Sequence, residues 1–188
     1  MKKQLLAIGL ALFGISASAA TINWGSNGTV ARFLIDGDGG TGSSNRLPTG
    51  SLVALVYLGE NQSFTFDNKQ DSYSFEANGV SGGTVVAFTT LTSGGKAADS
   101  YTKTPYTSMN GNYGMVYFDA SKWEDIKAGT KYGITTDVSP VNLSSEVDQT
   151  QNAYLNSNVA LTGTIVPEPS TAALALAGLA LLLKRRKA

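Results

Sequence analysis

The two longest apolar runs of this chain lie at its two ends, and they decide how much of its 188 residues is left to build a water-soluble core. At the N-terminus, Lys2 and Lys3 form a short basic head. An apolar run over 5–15 follows, broken only by Gly9 and Gly14, and then the small residues of 16–20. Basic head, apolar centre and small-residue end, in that order, predict a cleavable secretory signal. Ala17 and Ala19 stand where signal peptidase reads its site, so residues 1–20 are the signal peptide and the mature chain starts at about residue 20 or 21. The run is too short for a permanent spanning helix.

The C-terminal run, 172–183, contains six Leu, five Ala and one Gly. As a helix it reaches only about 18 Å, against roughly 30 Å of hydrocarbon. Six Leu favour insertion by about 3 kcal/mol in total, enough to engage a bilayer but marginal for holding a protein there. Lys184, Arg185, Arg186 and Lys187 come directly after it and should stay on the cytoplasmic side, as should Lys2 and Lys3. Both ends then lie inside and the 146 residues of 21–166 lie outside.

Val166-Pro167-Glu168-Pro169-Ser170-Thr171, the Leu/Ala run and the Lys/Arg cluster together resemble the PEP-CTERM sorting tail of Gram-negative bacteria. The resemblance covers about 22 residues. It implies export, recognition of Pro167, Glu168 and Pro169 by an exosortase-like membrane protease, a membrane segment at 172–183 and a stop-transfer cluster at 184–187. It also implies transient association with the inner membrane, then residence at the cell surface or in an extracellular polysaccharide matrix or biofilm. Two prolines so close together forbid regular helix or sheet pairing, which keeps such a motif extended and open to an enzyme.

Between the signals, residues 21–165 are the length of one domain. Across them eight Lys and Arg face thirteen Asp and Glu, a net charge of −5 that the basic ends hide. An acidic surface argues against nucleic acid as a partner. The chain has neither Cys nor His. Disulfides are therefore absent, and so are the common zinc sites and the Ser-His, Cys-His and His-mediated acid–base arrangements.

Short apolar runs punctuated by Gly, Ser, Thr and Asn predict strands near 29–36, 51–58, 63–67, 71–77, 84–92, 113–119, 132–137 and 159–166. The 51–58 run is apolar at seven of eight positions and reads as a strand buried on both faces. Residues 63–67 place Phe64 and Phe66 on one face. Asn-Gly pairs at 78–79 and 110–111 suggest hairpin tips. The expected fold is all-β, an antiparallel sandwich or jelly-roll-like domain, with a C-terminal apolar helix beyond it. One short helix is expected where Ser121 and Glu124 form a capping box, ending at Gly129. Residues 139–158 read as a polar loop or irregular edge, and the five Gly of 37–50 mark a flexible turn.

Candidate chemistry within the domain is sparse. Residues 37–42 match G-x-G-x-x-G, but no helix follows and Asp36 and Asp38 would repel a pyrophosphate. Asp36-Gly37-Asp38 has two acidic positions of a Ca²⁺ loop without the third or the terminal Glu. Ser93-Gly94-Gly95-Lys96 matches S-x-x-K without the helix or the companion motifs that chemistry needs. We therefore expect no catalytic, cofactor-binding or metal site. Tyr101, Tyr106 and Tyr113 gather near Asn110 and Asn112, and Tyr154 near Asn152, Asn156 and Asn158. Aromatic faces beside amides suit a sugar surface, so the first three tyrosines are the candidate glycan contacts. The expected protein is a non-enzymatic surface or matrix component whose partners are signal peptidase, the sorting protease and extracellular polysaccharide. The alternatives are a glycan-active enzyme using a carboxylate pair drawn from Glu60, Glu76, Glu124 and Glu146, or an ice-binding-type protein.

Overall fold

The computed structural model describes residues 19–26, 31–67, 80–103, 109–143 and 149–166. Among the described residues twelve strands follow one another: β1 (Ala20–Ser26), β2 (Phe33–Leu34), β3 (Leu52–Gly59), β4 (Thr65–Phe66), β5 (Val80–Ser81), β6 (Thr84–Thr90), β7 (Ala98–Lys103), β8 (Asn112–Phe118), β9 (Lys131–Thr135), β10 (Gln149–Leu155), β11 (Val159–Ala160) and β12 (Gly163–Thr164). The chain is all-β, and its largest sheet is antiparallel throughout, in the order β12-β9-β8-β3-β6.

β3 explains the layering. Its apolar run is buried on both faces, as its composition requires. Val53 and Leu55 point into one core cluster with Tyr113, Met115 and Tyr117 of β8. That cluster is closed by Ile22 and Trp24 of β1 and Ala153 and Leu155 of β10. Leu52, Ala54, Val56 and Leu58 point the other way, into a second cluster with Val116 and Phe118. Here the cover is the short β4–β5 pair, through Phe64, Phe66 and Val80, together with Trp123, Ile126 and Ile165. Phe64 and Phe66 thus do share one side.

The structure departs from expectation at several places. β1 pairs parallel with β10 and antiparallel with β7, and β11 pairs parallel with β2. The parallel partners come from opposite ends of the domain, so no hairpin links them and the long intervening chain serves as the crossover. β10 occupies part of the expected polar loop of 139–158: only Ala153 and Leu155 are buried, while backbone pairing with β1 holds the remaining polar residues. β1 and β7 carried no strand expectation, and 159–166 splits in two because β11 pairs with β2 but β12 with β9.

The expected helix is a single 3₁₀ turn, Trp123–Asp125. Its cap position is Lys122, and Ser121 donates instead to Asp125 at 3.4 Å. Once Trp123 and Ile126 are both directed at the second core cluster, one tight turn suffices, and Gly129 at φ 93° turns the chain back to β9. Asn110-Gly111 is not a hairpin tip: Gly111 exchanges backbone hydrogen bonds with Val141 at 3.0 and 3.1 Å. A Cβ on Gly111 would meet the Gly59 carbonyl at 2.5 Å, so close backbone approach demands the glycine there. The expected strand 71–77, the Asn-Gly pair 78–79 and the C-terminal apolar helix lie outside the described residues. Among the described residues no helix is long and apolar enough to cross a membrane.

Candidate functional site

Of the tyrosines singled out from sequence, Tyr113 belongs to the core. Tyr113 is 1% exposed, its ring tilted against Tyr57 at 5.3 Å, and its hydroxyl donates to the Met109 carbonyl at 2.7 Å. Burial, followed by the neighbouring Tyr57 and Tyr101, pushes its phenol well above the ordinary range. Tyr101 packs against the first core cluster, and burial raises its pKa as well. Tyr113 offers no free ring face to a sugar, Tyr101 is partly buried, and Tyr106 lies outside the described residues. The amides around Tyr154 are engaged: Asn156 donates to Asp137 at 3.1 Å and accepts from Ser139, and Asn152 accepts from Asn23.

The glycine-rich segment is an ordered turn. Buried Asn45 donates to the carbonyls of Asp36 (2.6 Å) and Gly40 (2.7 Å) and accepts from the Asp36 amide at 3.0 Å. One asparagine thus supplies the backbone partners that this loop does not find in a sheet. The Asp36 carboxylate accepts from the Asp38 amide, and no cluster of three metal-ligating side chains occurs among the described residues. Residues 93–96 turn at positive φ between β6 and β7, with Thr92 bridged to Lys96, which is not the helix an S-x-x-K site needs.

A surface site does arise where β6 meets the segment after β8. Phe88 is 49% exposed, with its ring edge-on to Trp123 at 6.3 Å. Trp123 in turn packs edge-on to Phe118 at 5.5 Å, Phe118 to Phe66 at 5.3 Å, and Phe66 tilts against Tyr132 at 4.9 Å. This aromatic chain runs from the second core to the surface, so Phe88 and Trp123 sit on a rigid base. Beside them lies a groove of about 460 Å³, where Thr89, Thr90, Ser121, Lys122 and Glu124 bring hydroxyls, an amine and a carboxylate to an apolar floor. Composition alone could not single out Phe88, because one aromatic in an alternating strand reads as core.

On the other side of the same segment, Asp119 and Asp125 border a second depression of about 540 Å³ with Lys127 and Thr130. Of the four glutamates considered from sequence, Glu124 lines the aromatic groove, Glu60 is exposed just after β3, and Glu76 and Glu146 lie outside the described residues.

The chain leaves the domain close by. Ile165 is 1% exposed within the second core cluster, donates to the Thr130 carbonyl at 2.8 Å, and accepts from the Gly129 amide at 2.9 Å. Val166 is 42% exposed. Pro167, Glu168, Pro169 and Lys184, Arg185, Arg186 and Lys187 lie outside the described residues, as does Ala17. At the other end, β1 begins one residue after Ala19.

Residues 166–187 match the family model of the PEP-CTERM protein-sorting motif. No curated protein and no solved structure matches the chain. The motif is a recognition signal for exosortase processing and implies export and sorting to the cell surface.

Proposed function

We propose, from the premise that this chain is a PEP-CTERM sorting substrate, that residues 21–165 are a non-enzymatic β-sandwich delivered to the cell surface or extracellular matrix of a Gram-negative-type bacterium to hold polysaccharide. In this reading signal peptidase removes residues 1–20. Residues 172–183 and the cluster 184–187 keep the chain at the inner membrane until an exosortase-like protease reads Pro167, Glu168 and Pro169. The tail is an address, and its apolar run is too short to be a comfortable anchor.

The observation that carries the glycan reading is exposed Phe88 on its aromatic base beside the groove of hydroxyl, amine and carboxylate groups. An aromatic face covers the apolar face of a pyranose, and the surrounding polar groups match its hydroxyls. The test is affinity electrophoresis of the exported protein through gels containing extracellular polysaccharide. Phe88→Ala should weaken retardation by about 5–30-fold, the equivalent of about 1–2 kcal/mol for a central aromatic contact. Equal mobility of wild type and variant in every polysaccharide that retards the wild type would remove Phe88 from the site.

The enzymatic reading draws on Asp119 and Asp125, which border one depression. It requires that Asp119→Asn or Asp125→Asn abolish a measurable glycan cleavage by the exported protein.

A further inference from the structure

The family match begins at Val166, while the residue before it is locked in the core. No spacer separates the folded domain from the sorting motif. β12 is only two residues long and, among the described residues, lies at the edge of the five-stranded sheet and pairs only with β9. Pairing with β9 and packing on the second cluster hold it. Ile165 exchanges backbone hydrogen bonds with Thr130 and Gly129, its side chain fills the second cluster beside Phe118 and Ile126, and Gly163 lies under the ring of Tyr132. A Cβ at Gly163 would come within 2.5 Å of that ring, so a larger residue there would have to displace it.

The chain from Ile165 to the first residue of the apolar run, Ala172, spans seven Cα–Cα steps. That is at most about 25 Å when fully extended, less than the roughly 38 Å width of a globular domain of this length. A membrane-embedded protease that reads Pro167–Pro169 must work in that gap. Enzymes that read extended peptides pair with several residues on each side of the motif, and the residues on the N-terminal side here are Gly163, Thr164 and Ile165.

We infer that β12 is a latch on the sorting motif: the folded domain withholds residues 163–165, and release of this two-residue edge strand limits how fast the protease engages Pro167–Pro169. The inference rests on the sorting reading above. Short strands at a sheet edge can open locally without global unfolding, so the latch can lift while the rest of the domain stays folded.

The experiment follows conversion of the full-length protein to its tail-less form by pulse-chase in cells that export and process it. Six Gly/Ser residues inserted between Val166 and Pro167 should give the protease its extended segment without lifting β12, and speed conversion at least threefold. Ile165→Ala, which loosens the latch, should also speed conversion in the native spacing. It should add less than twofold on top of the insertion, because the latch no longer matters there. Conversion of the inserted protein within twofold of wild type overturns the latch, whatever Ile165→Ala does. The insertion lies outside the core and keeps the test valid if Ile165→Ala fails to fold. Pro167→Ala with Pro169→Ala separates the two claims. Conversion at the wild-type rate in that variant overturns the sorting reading itself, whereas blocked conversion upholds it, and the rate of the inserted protein then decides the latch.

Discussion

Gly133→Ala is the substitution that best tests how the two layers are held together. Gly133 pairs with Tyr117 across β8 and β9, and a Cβ placed on it would overlap Cε2 and Cζ of the Tyr117 ring. That ring moves aside only at a cost. It is 1% exposed, lies edge-on to Phe33 at 5.0 Å, and its hydroxyl donates to the Ala160 carbonyl at 2.6 Å. The methyl group therefore either compresses a packed core, at about 1–3 kcal/mol, or displaces the phenol and loses a hydrogen bond of about 0.5–1.5 kcal/mol. Lower entropy of the unfolded chain returns about 0.4–1 kcal/mol. The net destabilisation should be about 1–2 kcal/mol, a fall in Tm of about 3–7 °C for a domain of this size. Urea and thermal unfolding of the exported protein measure it. The decisive comparison repeats Gly133→Ala in a Tyr117→Leu background, where the ring is gone and the added methyl should be neutral or stabilising. The coupling between the two sites should reach at least about 1 kcal/mol. An equal loss in both backgrounds would refute the ring-over-glycine reasoning. The same construction recurs where Phe64 covers Gly114 and Tyr132 covers Gly163.

Asn45→Ala should destabilise by about 2–3 kcal/mol, because it leaves the Asp36 amide and two carbonyls without their partner; urea unfolding would show it as a lower midpoint at unchanged slope. Alkali should also unfold the protein. Tyr113 and Tyr117 have folded-state pKa values raised above the ordinary 10.0 by burial, so above about pH 10 the unfolded state releases protons that the folded state retains. The stability these two groups confer is complete below that pH. It should fall by up to about 2.7 kcal/mol per pH unit above it. Unfolding curves between pH 9 and 11, read beside tyrosinate absorbance, would show loss of structure and ionisation of these two rings together.

Legibility from sequence followed the range of the forces involved. The 51–58 run announced a strand covered on both sides, and β3 is that strand, because seven apolar residues in succession leave neither face for water. The candidate site was less legible. Tyr113 stood among asparagines and read as a sugar contact, yet it faces the first core cluster. Phe88 looked like an ordinary strand aromatic, yet it is half exposed, because β6 is the last strand of its sheet among the described residues. Which strand lies at an edge is decided by pairing, and pairing is not written in any one strand.

The sorting tail is legible in the chain alone, since a proline pair, an apolar run and a basic cluster act through local chain stiffness, transfer from water and charge. The all-β class and the absence of His and Cys chemistry are legible on the same local terms. Tertiary structure alone decided that β1 lies between β7 and β10, joining residue 20 to residue 149, and that glycines 114, 133 and 163 sit beneath aromatic rings. It also decided that Ile165 is locked into the core one residue before the tail. These relations depend on contacts between residues far apart in the chain, where burial and close packing override the preference of each segment taken alone.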